Sequence, residues 1–195
     1  ATMGLAVGRD QQLYLALGDT RSAGAASYGG KVLRIAPDGT TPLDNPSPSP
    51  IFAAGVRRPL ALAWPSGRER LWVADVGSSA LAVAPVNAGS RVSRWMAPDA
   101  LGGDHEVTAA SFAQTDAASP ASVGLFLTRR QGAFLERWRL DPSLPGLVIA
   151  SERLLRGRVP PLGDVEVGKD GVLYLLTDEV RPAGARLLRL TPLGD

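Results

Sequence analysis

Arginine supplies most of the side-chain chemistry in this sequence. Of 21 basic residues, only Lys31 and Lys169 are lysines. A guanidinium is planar, permanently charged and shaped for bidentate contact with carboxylates or phosphates. Arginines recur in short turn-like segments: Val56-Arg57-Arg58-Pro59, Arg129-Arg130 and Arg156-Gly157-Arg158. Carboxylates stand in similar segments at Asp19-Thr20-Arg21, Asp75-Val76-Gly77-Ser78 and Asp178-Glu179. The single histidine, His105, follows Gly103-Asp104. Histidine titrates near neutral pH, so His105 is the candidate general base. The plainer role for a lone histidine at a strand start is a structural hydrogen bond. The plainer role for the arginines is solvated loop residues paired with nearby Asp and Glu.

Several chemistries are excluded. The chain has no cysteine, hence no disulfide and no thiol nucleophile. It shows no nucleophile elbow, phosphate-cradling loop, EF-hand spacing or His-rich metal motif. A net charge of +2 gives no reason to expect a nucleic acid partner. No run of ~20 apolar residues is present, so no membrane span is expected. No signal peptide is visible.

The elements that must carry these residues are strands. An apolar-aromatic-apolar core occurs at Leu13-Tyr14-Leu15, Leu71-Trp72-Val73, Leu125-Phe126-Leu127 and Leu173-Tyr174-Leu175, at intervals of 58, 54 and 48 residues. Each core follows a polar or Gly turn and an earlier short apolar run, and a third strand-like run comes after it. No segment holds a 3.6-residue period over three turns, and the runs are short and bounded by Gly and Pro. Residues 149–158 have room for a turn or two of helix, but the strand assignment is favoured. A supersecondary unit recurring at about 50 residues is the signature of a propeller or solenoid. The expectation is an all-β chain: a single β-propeller domain over 1–195, with about four blades at roughly 1–50, 51–100, 101–155 and 156–195. Ile51-Phe52-Ala53 opens the second blade in this division. The Pro-rich stretch 40–50 reads as an ordered connecting loop. In Phe134–Leu140, Phe134, Glu136, Trp138 and Leu140 share one face.

In a propeller, the loop entering a blade's first strand and the loop leaving its second strand open on the same side. That rule sends Arg57-Arg58, His105 and Arg156–Arg158 to the same side as Asp19, Asp75, Arg129-Arg130 and Asp178. Binding groups usually sit on such loops. An arginine-lined face suits a ligand with several carboxylates or phosphates.

The order of motifs resembles the glucose/sorbosone dehydrogenase family. The matching runs are 13–46 (from Leu13-Tyr14-Leu15-Ala16-Leu17-Gly18-Asp19, through Gly30-Lys31-Val32-Leu33-Arg34-Ile35, to Asp44-Asn45-Pro46), Gly55–Trp64, Leu71–Gly77 and Asp164–Asp178. The similarity is weakest over 79–120. It implies a six-bladed soluble quinoprotein fold, a pyrroloquinoline quinone (PQQ) cofactor, calcium, and oxidation of an aldose at its C1 hydroxyl with hydride passing to the quinone. A periplasmic or extracellular location goes with it. PQQ carries three carboxylates, which agrees with an arginine-lined face. Arg57 matches the family arginine that contacts the quinone, and Arg58 and Arg158 are further candidate cofactor contacts. Gly77 and Ser78 fall where backbone carbonyls hold calcium.

This chain also departs from the family. Arg58 replaces Asn and Leu60 replaces Gln. The acidic run expected after Ser78 is absent, and Gly163 stands in place of Arg. The family's catalytic histidine belongs just upstream of Leu5, where Ala1-Thr2-Met3-Gly4 has none. Four blades in place of six imply missing N-terminal material, or else a true four-bladed closure. The expected function is a PQQ-dependent sugar dehydrogenase-like domain. The alternatives are a non-catalytic propeller that binds a sugar, an anionic ligand or a protein, and a metal-dependent lactonase-like propeller using Asp19, Asp75, Asp104 and Asp178. Oligomeric state is left open.

Overall fold

The computed structural model describes residues 3–19, 27–64, 70–77, 81–92, 107–114, 123–129, 133–141, 147–168, 171–178 and 184–190. Over these residues the chain is all-β, with four antiparallel sheets and no helix. The first sheet runs in chain order through β1 (Met3–Val7), β2 (Leu13–Leu17), β3 (Lys31–Ile35) and β4 (Ile51–Ala54). The second holds β5 (Pro59–Ala63), β6 (Leu71–Val76) and β7 (Leu81–Val86). The third holds β8 (Val107–Gln114), β9 (Val123–Arg129), β10 (Leu135–Leu140) and β11 (Val148–Leu154). The fourth holds β12 (Leu162–Val167), β13 (Leu173–Thr177) and β14 (Leu187–Leu190). The four repeated cores seen in the sequence are the second strands β2, β6, β9 and β13. The 149–158 stretch supplies β11 and no helix. Sequential up-and-down sheets of this kind are the blades of a β-propeller.

Two compact units contain these sheets. The first comprises residues 1–97 with 143–147, and the second 98–142 with 148–195. In the first unit, alternation along β2 turns Tyr14 and Ala16 inward. They join Val32 and Ala53 of the same sheet against Leu62, Leu71, Val73, Ala84 and Val86 of the second. Phe52 and Trp64 meet the Tyr14 ring edge-on, with centroids 5.1 and 5.7 Å away. Gly4 lets β1 approach β5 closely: a Cβ there would lie 3.3 Å from backbone atoms of Ala61 and Leu62. In the second unit, Ala109, Ala113, Phe126 and Leu135 of the third sheet pack on Leu162, Val165 and Leu175 of the fourth.

Ile51–Ala54 does not open the second blade. It pairs with β3, through Lys31↔Ala54, Val32↔Ala53 and Leu33↔Ile51, and completes the first sheet. The cause lies in Arg34, whose side chain is 7% exposed. Its guanidinium donates to Asp10 (Nε, 2.9 Å), Asp44 (Nη1, 2.7 Å; Nη2, 3.0 Å) and Asn45 (Nη1, 3.0 Å). Asn45 in turn donates to the carbonyls of Arg34 and Ser49, and the Arg34 N–H donates to the Pro50 carbonyl at 2.8 Å. The Pro-rich stretch is therefore an ordered connection, as its sequence suggests, and it is folded back onto β3.

Glu136, Trp138 and Leu140 do share an inward face of β10, and all three are buried. The Glu136 carboxylate accepts from Arg129 Nε at 2.7 Å and from Trp138 Nε1 at 3.0 Å. Arg129, the last residue of β9, is thus an interior residue in an ion pair, and not the ligand-facing loop arginine expected from its place in the sequence.

Candidate functional site

The candidate site is built on the segment entering β5. Strand β6 is buried along its whole length, and Asp75 is a carboxylate inside it, 1% exposed. A buried carboxylate is tolerated only where donors meet it. Here they are backbone N–H groups. Arg57 N–H donates to both Asp75 oxygens (2.9 and 3.1 Å), and Arg58 N–H donates to Oδ1 at 2.7 Å. The two carbonyls are fixed as well. Arg57 C=O accepts from Asp19 N–H at 2.7 Å, and Arg58 C=O accepts from Val76 N–H at 3.0 Å. Just upstream, Gly55 takes φ 102°, a backbone region that favours glycine, and its N–H donates to the Gly30 carbonyl at 2.8 Å.

This arrangement bears out locally the expectation about loops. The end of β6 is bonded to the segment entering β5, and at the fourth sheet Asp178 N–H donates to the Pro161 carbonyl beside β12. Three of the sequence-predicted site residues, Arg57, Arg58 and Gly77, are brought to one place, because Gly77 directly follows Val76. Arg158 lies in the second unit, exposed in a turn where its N–H donates to the Leu155 carbonyl at 2.9 Å. His105 and Ser78 lie outside the described residues, as does Asp104.

Arg57 is exposed and Arg58 partly buried. Among the described residues neither guanidinium has an ion-pair partner, and Arg58 Nε is a buried donor without an acceptor. A rigid backbone thus presents two cations, one with an unused buried N–H. That donor set fits the carboxylates of PQQ. For the cation, Gly77 directly follows Val76, whose N–H is bonded to the Arg58 carbonyl, and no group of three or more His, Cys, Asp or Glu that could hold a metal occurs among the described residues. The carboxylate-lined metal site of the lactonase alternative loses Asp75, whose oxygens already serve the Arg57 and Arg58 amides.

The role of Asp75 is absent from the sequence reading, which treats it as one more loop carboxylate. Its signal was available: an Asp inside the apolar run Leu71–Val76 has to be matched by buried donors, and Pro59 opposite it has no N–H to offer.

Residues 2–81 match the family model for glucose/sorbosone dehydrogenase. No curated protein sequence is significantly similar to the chain. Among solved structures, a glucose dehydrogenase is similar over 97% of this chain, with 26% identity and a TM-score of 0.71. The PQQ-bound aldose sugar dehydrogenase from Streptomyces coelicolor is similar over 95% of the chain at 24% identity, TM-score 0.69. The apo form of the soluble aldose sugar dehydrogenase from Escherichia coli matches over 93% at 21% identity, TM-score 0.66. The chain spans 60%, 60% and 61% of the lengths of these three structures. The first two sheets of the chain thus resemble the glucose/sorbosone dehydrogenase family, and the fold throughout is similar to that of solved sugar dehydrogenases, a β-propeller.

Proposed function

We propose that the chain is the PQQ-binding part of a sugar dehydrogenase, with Arg57 and Arg58 as the contacts to the cofactor and the Gly77–Ser78 segment as the calcium-binding backbone. The observation that supports this reading is the arginine pair whose backbone is held by Asp75 and whose guanidinium groups have no ion-pair partner among the described residues. Two guanidinium groups carried on a hydrogen-bonded backbone favour a ligand with several carboxylates over a neutral one. When bound, PQQ would supply the acceptor for a hydride from C1 of an aldose. The chain's part is to hold the cofactor anion, and His105 is its candidate for taking the C1 hydroxyl proton. Arg158 belongs to the proposal as a further anion contact. A periplasmic or extracellular location goes with it.

A second reading has its own support. Arg58 and Leu60 stand where the resembled family carries Asn and Gln, so this site is more cationic and less able to orient a sugar. On that reading the same arginine pair binds an anionic ligand without turnover.

Purified protein mixed with PQQ and calcium chloride, then with glucose and a reducible dye, separates the two. A shift of the quinone absorbance followed by sugar-dependent dye reduction supports the dehydrogenase. A shift without dye reduction supports the binding module. A folded protein that shifts nothing at saturating PQQ refutes PQQ binding.

A further inference from the structure

We infer that Asp75 is the positioning residue of the arginine pair, and that ligand affinity at Arg57 depends on its carboxylate; this rests on the reading above. Strand β6 lies opposite Pro59, with a register irregularity between Pro59 and Ala61. Proline has no N–H, so the β5–β6 ladder lacks a donor where β5 begins. The Asp75 side chain takes over there and closes on the N–H groups of the two residues before the proline. Together with the bonds from Asp19 and Val76 N–H, it leaves no N–H or C=O of Arg57 and Arg58 free to rotate. With its two oxygens, the carboxylate accepts all three of these contacts. Asparagine keeps the volume but turns an NH₂ toward backbone N–H donors. Both arginine stems start from peptide units whose orientation that one carboxylate sets. Preorganisation of this kind acts on affinity, because a loose cation loses conformational freedom when it binds.

The test uses the full chain with PQQ and calcium, following quinone absorbance without turnover. D75N should weaken PQQ binding by about tenfold or more, the scale of losing a charge-assisted hydrogen bond. R57A should weaken it similarly. In the D75N/R57A double variant the loss should be clearly smaller than the product of the two single losses, because part of the Asp75 effect acts through Arg57. Losses that multiply, or an unchanged D75N affinity, overturn the inference. If D75N does not fold, D75S, smaller and still able to accept one N–H, takes its place in the cycle.

Amide hydrogen exchange at Arg57 and Arg58 gives a readout independent of the ligand. The substitution should speed exchange at both, and unchanged exchange also overturns the inference. Should the wild-type chain bind no PQQ while the substitution still speeds exchange at these amides, the dehydrogenase reading fails and the positioning role of Asp75 stands.

Discussion

Replacing Arg34 by methionine removes one guanidinium and keeps an apolar stem of similar reach. In the native chain that guanidinium joins Asp10 on the β1–β2 turn to Asp44 and Asn45 on the connection before β4. It is 7% exposed, whereas its partners Asp10 and Asp44 are 35% and 75% exposed. Removing one member of a fully buried ion pair costs about 3–5 kcal/mol, because the other charge is stranded. Here both carboxylates can regain water, so that penalty is not reached in full. An exposed pair would be worth only about 0–1 kcal/mol. Arg34 itself is buried and donates several charge-assisted hydrogen bonds, which places R34M between these limits, at about 2–3 kcal/mol. For a chain of this size each kcal/mol moves Tm by about 2–4 °C, so a fall of about 4–12 °C is expected. Urea and thermal unfolding of the two proteins measure this. Limited proteolysis locates it, since the 40–50 connection should become the first cleavage site. A stability change below about 0.5 kcal/mol, or a connection as resistant as before, would refute the assignment of Arg34 as the clamp of the first sheet.

Acid should expose the same clamp. Partial burial raises the Asp10 carboxyl, but hydrogen bonds from Arg34, the Gln12 N–H and Tyr14 outweigh this and hold it below the usual carboxylate range. Arg34 likewise holds Asp44 low. With folded values below unfolded ones, this stabilisation is full above the ordinary carboxylate range and lost as pH falls below it through the depressed folded values, so R34M should lose less stability than wild type from about pH 5 downward. Equal losses would contradict it. Burial, then the hydrogen bond to Asp10, push the Tyr14 phenol up to about 12. Its contribution is therefore present below about pH 10 and lost as pH rises toward 12. Phenolate absorbance should show a late-titrating group that Y14F removes. In the second unit, E136A should cost about 1.5–3 kcal/mol by removing the buried acceptor of Arg129 Nε and Trp138 Nε1, and the apolar pair R129M/E136L should recover part of it. If E136A and the pair unfold alike, the ion pair is not the cause.

The repeated cores were legible because the chemistry that marks them is local. Each second strand carries an aromatic between branched apolar residues, bounded by turn residues, and β2, β6, β9 and β13 all form where that pattern stands. The assignment of Ile51–Ala54 failed for the opposite reason. Four prolines between 40 and 50 look like a boundary, and what turns the chain back onto β3 is the contact of Arg34 with residues ten and eleven positions away. Arg129 is similar. It reads as a loop arginine because it ends a strand, while its partner Glu136 is across a hairpin. The hint was Glu136 itself, which alternates with Trp138 and Leu140 on an inward face and so needs a buried cation. The site was half legible: the arginine pair was visible as a doublet before a proline, but the carboxylate that fixes it looked like one more polar loop residue.

The central claim is that the arginine pair entering β5 is a PQQ site, and equilibrium titration tests it most directly. Wild-type protein and R57A, each with calcium, are titrated with PQQ, and circular dichroism in the quinone band is followed. An achiral cofactor gains such a signal only when a chiral site holds it in one orientation. The predicted result is saturable binding at one PQQ per chain, weakened by about tenfold or more in R57A with thermal unfolding unchanged. Saturation equal in both proteins, or no induced signal in a folded wild-type chain, would contradict the claim.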